Sequence, residues 1–373
     1  MTIAVSAGKH GLKVGTPGIK SVGPLAFGPD GILFVADNVE AAIFAIDVGD
    51  AAPAGDARPL DVENLDTRLA AYLGCSRDDV NIRDMAVHPT SRNVYLSVMR
   101  GSGAAAVPVL AKVGADGKVS EVSLENVRFS QTTVEDAPAE DDSRLEVRVL
   151  ADGSREGEAI EPRPGFRLRI ARDRLRTVTV TDMAYVDGFL LVAGASNEEF
   201  ASTLRRVPFP FGGKAAANSL EIFHVSHGRY ETASPIRKFV PYAGNSSILA
   251  SYTCTPVVHF SLSEATPGAH VKGRTVAELG AGNTPLDMVS YERDGQEYLL
   301  VSNARHPLFK IACKDIDRQG ALTQPKEPVG VPRTALPQKG VSRMARLNDS
   351  HVLMMQQDEA GNVSLRSYST ARL

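Results

Sequence analysis

A strand–turn–strand pattern that recurs along the chain constrains the fold more than any other feature of the sequence. Its clearest copy spans residues 180–194, where two apolar runs flank the turn dipeptide Asp187-Gly188. Diverged copies occupy residues 25–37, 84–98, 237–252, 287–303 and 343–356. A single hairpin cannot bury both of its faces, so the copies are expected to stack around a common axis. The pattern predicts an all-β fold of the β-propeller class, with one domain over residues 1–373.

The spacing of the copies predicts six four-stranded blades and one insertion. Residues 131–178 break the pattern with an acidic stretch followed by a run of arginines. Residues 145–150 and 166–170 alternate within it, which predicts a charged hairpin, either a solvated excursion or an arm that docks a partner. A degenerate seventh blade hidden in this segment is the alternative. The insertion is also where we expect any contact between copies of the chain.

The two ends of the chain predict how the ring closes. The last copy is followed by only one more strand, whereas residues 3–20 precede the first copy without belonging to it. We expect the N-terminal segment, extended near residues 11–14, to supply the fourth strand of blade six and so remove two exposed edges. A short helix is expected at residues 65–73, with Asp66 as its N-cap candidate and Gly74 just past its end. Four methionines at one repeat position are predicted to fill the core, namely Met85, Met183, Met288 and Met344.

Composition excludes some classes of function. A net charge of -3 argues against a general nucleic-acid binder, and the absence of Trp disfavours partners that need stacking platforms. No apolar run is long enough to span a membrane. Three cysteines without C-x-x-C spacing make a disulfide framework unlikely. We therefore expect a soluble protein, cytoplasmic as the sequence stands and periplasmic or secreted if a leader has been removed.

Residues 24–38 carry a resemblance to a known superfamily. The run Pro-Leu-Ala-Phe-Gly-Pro-Asp-Gly-Ile-Leu-Phe-Val-Ala-Asp-Asn resembles the repeated signature of the NHL-repeat and SMP30/gluconolactonase-like six-bladed propellers. SMP30-like lactonases use a divalent metal to polarise a carbonyl and orient water. The resemblance implies such a role for Asp182, Asp287 and Asn303, although the neighbouring arginines depart from the family's pattern.

Unusual polar residues map to one face of the ring, called the top face here. In each blade the first strand begins and the second strand ends at this face, so the flanking residues share a surface. The candidate ligand-binding residues there are Asp84, Asp182, Glu198, Glu199, Arg237, Cys254, Asp287, Asn303, Arg305, His306 and Arg343. Asp182, Glu198, Cys254 and Asp287 are also the candidate catalytic residues.

Two interpretations apply to the charges that precede the first strands. In one, Asp84, Asp182 and Asp287 pair with Arg237, Arg343 and Arg83 and plug the axis with satisfied ion pairs. In the other, the carboxylates bind a divalent cation such as calcium or zinc, because hard cations prefer oxygen ligands.

A second candidate metal site is the His-x-x-His pair formed by His224 and His227. Strand residues three apart point to opposite faces, so the pair can share a metal only if the strand ends between them. Gly228 makes that ending plausible. With Cys254, His259 or His306 as a third ligand, the site would suit copper or zinc.

No nucleotide-binding loop, metalloprotease helix or Gly-x-Ser-x-Gly elbow is present. The first functional hypothesis is therefore a binding or scaffolding module that engages a protein or small ligand on the top face. The alternatives are a metal-dependent, lactonase-like hydrolase and a copper-dependent redox propeller.

Overall fold

The computed structural model describes residues 9–53, 55, 58–151, 154, 156–325 and 328–373. Two α-helices, α1 (Leu65–Leu73) and α2 (Cys313–Arg318), accompany the strands, and no helix of the described residues is long and apolar enough to cross a membrane. The strands up to the insertion are β1 (Lys13–Gly15), β2 (Leu25–Phe27), β3 (Ile32–Asp37), β4 (Ala42–Asp47), β5 (Val80–Val87), β6 (Val94–Arg100), β7 (Val107–Val113), β8 (Val119–Glu121) and β9 (Val127–Thr133). Those of the insertion and the next blade are β10 (Leu145–Leu150), β11 (Glu158–Arg163), β12 (Phe166–Arg174), β13 (Asp182–Val186), β14 (Phe189–Ala195), β15 (Ser202–Pro208), β16 (Ala216–His224) and β17 (Arg229–Glu231). The remainder are β18 (Lys238–Tyr242), β19 (Ser247–Ser251), β20 (Pro256–Ser261), β21 (His270–Lys272), β22 (Arg274–Glu278), β23 (Pro285–Arg293), β24 (Gln296–Asn303), β25 (Leu308–Ala312), β26 (Val329–Gly330), β27 (Thr334–Leu336), β28 (Val341–Asn348), β29 (His351–Gln357) and β30 (Val363–Ser369).

Six blades built on antiparallel hairpins surround an axis, as the repeated hairpins predicted. Their innermost strands are β2, β5, β13, β18, β23 and β28, which begin blades one to six in chain order. These strands contact one another in the cyclic order β2, β13, β18, β23, β28, β5 and back to β2. The chain is thus an all-β protein of the β-propeller class.

The repeat pattern also predicted local structure correctly. The two strands flanking Asp187-Gly188 pair in register from Asp182 with Ala193 to Val186 with Phe189. The four repeat-position methionines are buried in the core, each at most 5% exposed. Helix α1 has the predicted bounds and is capped at its C-terminus by Gly74, whose φ of 65° is the left-handed conformation that glycine tolerates best. Its N-cap is Asn64, not Asp66.

Blade one is completed by a strand that the sequence pattern did not reveal. The chain leaves β4, builds all of blade two, and then returns as β9 to pair with β4. Blade two is therefore inserted between the third and fourth strands of blade one. As a result, blade two lies between blades one and six in the ring.

The predicted closure of blade six by the N-terminal segment needs correction for the described part of that segment. Strand β1 pairs with β9 at the outer edge of blade one instead. Among the described residues blade six has three strands, and the edge of β30 is met by Val62, whose N–H and C=O both bond to Leu365. Asp61 and Leu60 add bonds to Ser367. Residues 60–62 therefore cover most of the edge that the N-terminus was expected to cover.

Ser367 gives a direct test of this edge. Its hydroxyl accepts from Leu60 N at 2.7 Å and donates to Leu60 O at 2.8 Å. Ser367→Ala should lower the free energy of unfolding by about 1–2 kcal/mol, because both backbone groups lose a partner at a partly buried edge. Urea denaturation measures the change. Ser263→Ala, at an exposed hydroxyl, should change stability by less than about 0.5 kcal/mol, and equal effects for the two variants would contradict the assignment.

The insertion is a three-stranded antiparallel sheet, called the capping sheet here, in the order β10, β12, β11. The predicted hairpin is its β10–β12 pair. The interpretation as a solvated excursion is wrong, because Val149 and Ile170 are 4% and 3% exposed. Val149 N donates to Thr284 Oγ1 at 2.8 Å and Thr253 Oγ1 donates to Val147 O at 3.4 Å. The capping sheet therefore packs on the top face of blades four and five.

Candidate metal centre

Three buried aspartates tie the blades together in pairs around the axis. Asp84, Asp182 and Asp287 each accept a hydrogen bond from the first strand of a neighbouring blade, through the N–H groups of Leu25, Phe239 and Met344, at 2.8, 2.8 and 2.6 Å. The donors belong to blades one, four and six, so every blade takes part in one pair. Around the ring, blades that carry one of these aspartates alternate with blades that do not.

Lys238 occupies the middle of this ring. Its Nζ lies 3.2 Å from Asp182 Oδ1, 3.4 Å from Asp84 Oδ1 and 4.0 Å from Asp287 Oδ1. Burial alone would lower the pKa of Lys238, but the three carboxylates outweigh it and raise that pKa. Burial raises the pKa of Asp182 to about 6 against the opposing attraction of Lys238. The ammonium thus stands where a divalent cation between these carboxylates would have to bind.

The arginines assigned to the plug take other positions. Arg343 lies 3.6 Å from Asp84 Oδ1 and donates to the backbone oxygen of Arg83. Arg237 makes no ion pair with any aspartate of the ring among the described contacts. The ion pairs that plug the axis are therefore centred on Lys238. The repeat alignment had placed the preceding residue, Arg237, at this position.

The remaining predicted top-face residues do not gather at the axis. Glu198 and Glu199 are exposed. Asn303 accepts from Asn283 Nδ2 at 2.9 Å, and Arg305 Nη1 donates to Gly282 O at 3.0 Å. His306 Nε2 lies 3.3 Å from Gly280 O. Asn303, Arg305 and His306 thus hold residues 280–283 in place.

His224, His227 and Cys254 come together at the junction of blades three and four. Strand β16 ends at His224, and the 3₁₀ turn Val225–His227 follows it. Gly228 closes this turn with φ 65°, as its position in the sequence indicated. One ligand atom from each of the three residues lies within 4.8 Å of the other two. His259 and His306 are not members of this group.

Glu231 orients both histidines. Its Oε2 lies 2.7 Å from His224 Nδ1 and its Oε1 lies 2.6 Å from His227 Nδ1. Because Nδ1 is engaged on each ring, Nε2 is the atom left for a metal. His224 Nε2 is buried, and the fully buried carboxylate of Glu278 is 3.9 Å away. We refer to His224, His227, Cys254 and Glu231 as the histidine–cysteine cluster.

The turn that presents Cys254 has a strained backbone. Cys254 and Thr255 are both left-handed, with φ of 64° and 61°. Non-glycine residues in this region cost about 1–3 kcal/mol each and concentrate at functional sites. Cys254 N donates to Asn283 O at 2.7 Å and Thr255 Oγ1 donates to Gly280 O at 2.9 Å. These hydrogen bonds to residues 280–283 offset the backbone strain of the turn. Because Arg305 and His306 hold the same segment in place, they support Cys254 indirectly.

The electrostatics of the cluster favour a thiolate. Burial would raise the pKa of Cys254, but hydrogen bonds from His224, His227 and the backbone of Gly282 outweigh it and lower that pKa to about 6. Hydrogen bonds to Cys254 and Glu231 raise the pKa of His227 to about 10. They raise the pKa of His224 to about 9 against burial. The same two imidazoles hold the pKa of Glu231 well below its usual range, although burial opposes them.

Two residues of these sites were not predicted from the sequence. The position of Glu231 could have been predicted from the sequence, because a turn at Gly228 sends the chain back along β16 and brings Glu231 beside the histidines. Lys238 was missed because the alignment placed Arg237 at the axial position. A shift of one residue along a strand exchanges the two faces of the sheet.

Comparisons with known proteins identify no family for this chain. No family model and no curated protein matches the chain, so the resemblance to the NHL-repeat and SMP30-like propellers stays a prediction. Among solved structures, the Malassezia sympodialis allergen Mala s 1 aligns over 91% of this chain and 90% of its own, with 10% identity and a TM-score of 0.40. The PQQ-bound aldose sugar dehydrogenase of Streptomyces coelicolor aligns over 95% and 96%, with 11% identity and a TM-score of 0.36. The Cps50 (Swd1) β-propeller domain of Myceliophteria thermophila aligns over 93% and 84%, with 10% identity and a TM-score of 0.37. Similarity at this level assigns neither a family nor an activity.

Proposed function

We propose that this chain is a metal-binding β-propeller in which His224, His227 and Cys254 hold one divalent ion, with zinc as the first choice. The observation that carries the proposal is the convergence of two imidazoles and a thiol within 4.8 Å. Zinc takes nitrogen and sulfur ligands at about 2.0–2.3 Å in tetrahedral sites. Glu231 supplies the carboxylate partner that metal-bound histidines almost always have.

Three protein ligands leave a fourth coordination position. Structural zinc sites are closed by four protein ligands, whereas catalytic sites keep one position for water or substrate. The His227 side chain is 42% exposed, which supports access from solvent. The proposed role is a Lewis acid that polarises a carbonyl or activates water. The proposal keeps the metal-dependent hydrolase hypothesis but moves the metal from the axial carboxylates to the histidines. Lys238 already fills the space between Asp84, Asp182 and Asp287.

Copper is the competing metal. Two imidazoles and one thiolate are also the donor set of mononuclear copper electron-transfer sites. The thiolate of Cys254, with a hydrogen bond from the backbone of Gly282, fits that chemistry as well. A copper ion would favour the redox function over the hydrolytic one.

Elemental analysis of protein purified without a histidine tag tests the proposal. We expect about one zinc per chain, lost in Cys254→Ser and His224→Ala because each removes a ligand. Cys75→Ser is the matched control and should retain the metal, because Cys75 lies outside the cluster. Stoichiometric copper with intense thiolate-to-copper absorption would replace the hydrolytic function by the redox one.

Failure to take up zinc or copper after reconstitution would contradict the metal proposal. Rapid alkylation of Cys254 by iodoacetamide in such metal-free protein would instead support a nucleophilic thiolate assisted by the histidines and Glu231.

A binding or scaffolding role on the top face stays a prediction. The capping sheet packs over blades four and five of that face, so a protein partner approaching there would meet the capping sheet first. Among the described residues its outermost strand β11 pairs only with β12, and most of the β11 side chains are exposed.

A further inference from the structure

Arg237 lies where the capping sheet meets the propeller axis. It directly precedes β18, and its backbone N–H donates to Ser251 O at 2.8 Å. The charged side chains around it are Glu146, Arg148 and Asp173 from the capping sheet and Arg343 from blade six. Burial lowers the pKa of Arg237 to about 10, so the guanidinium is protonated at neutral pH.

The guanidinium of Arg237 has no counter-ion within ion-pair distance in the described part of the chain. Its Nη1 is buried without a hydrogen-bond partner, and the side chain forms no ion pair with the described residues. Buried polar groups in folded proteins are nearly always hydrogen-bonded, and buried charges are paired. An unpaired group of this kind therefore points to a partner from outside the chain.

The two neighbouring arginines already have partners. Arg148 Nη2 donates to Asp173 Oδ1 at 3.1 Å, and its Nε contacts the same carboxylate. Arg343 donates to the backbone oxygens of Arg83 and Ser342 at 2.6 and 2.7 Å. Of the three, only Arg237 has a buried side-chain nitrogen without a hydrogen-bond partner among the described residues.

Glu146 is the carboxyl group that could have neutralised Arg237. It is not within ion-pair distance, and its Oε1 accepts from Ser234 Oγ at 3.2 Å. Burial raises the pKa of Glu146 to about 7, against the opposing attraction of Arg237. At mildly acidic pH the carboxyl is thus largely neutral, which leaves the positive charge of Arg237 uncompensated.

We propose that this junction is a binding site for a small oxyanion, such as a carboxylate, sulfate or phosphate group, with Arg237 as its principal ligand. The planar guanidinium presents paired N–H donors that match the geometry of oxyanions. The site is distinct from the histidine–cysteine cluster and does not depend on a bound metal.

Isothermal titration calorimetry with sulfate, at ionic strength matched with chloride, tests the proposal. Wild-type protein should bind one sulfate, and Arg237→Gln should bind it at least tenfold more weakly. Arg318→Gln is the matched control, because it removes the same charge from an exposed position on α2 and should leave the affinity unchanged. Arg237→Lys, which keeps the charge, should retain part of the affinity even if the glutamine variant folds poorly. Cys254→Ser should bind sulfate as the wild type does, so the result is independent of the metal proposal.

The pH dependence provides a second readout. Sulfate keeps its charge between about pH 6 and pH 8, whereas Glu146 ionises in this range and then competes with the anion for Arg237. Asp173 and Glu231 also face Glu146 and raise its pKa. Asp173, Arg148 and Arg343 face Arg237 but are engaged with other partners. Affinity should fall severalfold from pH 6 to pH 8, and Glu146→Gln should abolish the fall. Equal sulfate affinity in wild type and Arg237→Gln, or no binding beyond the chloride control, would overturn the proposal.

Discussion

Replacing Lys238 by methionine is expected to lower the free energy of unfolding by about 3–5 kcal/mol, because breaking a buried ion pair leaves uncompensated charge. Three carboxylates share this one ammonium, and all four residues are at most 9% exposed. Methionine has a similar length but no charge. The carboxylates of Asp84, Asp182 and Asp287 would then repel one another without a cation between them.

The loss should depend on pH in a defined direction. Burial already raises the pKa of Asp182 to about 6 and raises that of Asp287. A carboxyl whose folded pKa exceeds its unfolded value of about 3.9 binds more protons in the folded state, so stability falls as pH rises through that interval. The methionine variant loses the Lys238 ammonium, whose attraction opposes these upward pKa shifts in the wild type. Its folded carboxyls should therefore have still higher pKa values, so its destabilisation relative to the wild type should be smallest near pH 4 and should grow as the pH rises above about 6.

Urea denaturation at several pH values measures this effect. Lys272→Met removes the same charge from an exposed ion pair with Glu221, at 2.8 Å, and should cost less than about 1 kcal/mol at every pH. If Lys238→Met were no more destabilising than this control, the axial carboxylates would have to be hydrated or protonated in the folded protein.

The parts of the fold that were predictable are those set by local pattern. Period-two alternation and Asp-Gly turns specify a hairpin within about fifteen residues, which is why the Asp182–Val186 and Phe189–Ala195 pair followed from the sequence. Helix α1 ends before Gly74 as its C-terminal signal indicated, for the same reason. Neither signal depends on residues elsewhere in the chain.

The parts that were missed depend on distant pairing. Strand β9 returns to blade one after a complete blade has intervened, and nothing local in Val127–Thr133 distinguishes that partner from another. The contact between Val62 and Leu365 joins residues some three hundred positions apart. The His224, His227 and Cys254 set was foreseen as a possibility only, because its assembly depends on two blades meeting.

Replacing Glu231 by glutamine is expected to weaken zinc binding by about 10- to 100-fold, the usual cost of losing the carboxylate behind a metal-bound histidine. The two oxygens of Glu231 each hold one imidazole, at Nδ1 of His224 and of His227. A glutamine amide has one acceptor oxygen, so it can keep only one of these rings in place. It also removes the negative charge that makes both imidazoles better donors.

Competition with a chromophoric chelator at fixed neutral pH measures the zinc affinity of wild type and variant. Glu221→Gln is the matched control, since Glu221 lies on β16, the strand that ends at His224, and also binds a histidine, His270, at 3.2 Å. Its affinity for zinc should equal that of the wild type, because His270 is not in the cluster. Unchanged affinity in Glu231→Gln would mean that the imidazoles do not bind metal through Nε2 with Nδ1 held by Glu231. The carboxylate would then serve only its ion pair with Arg229 and the packing of the β16–β17 turn.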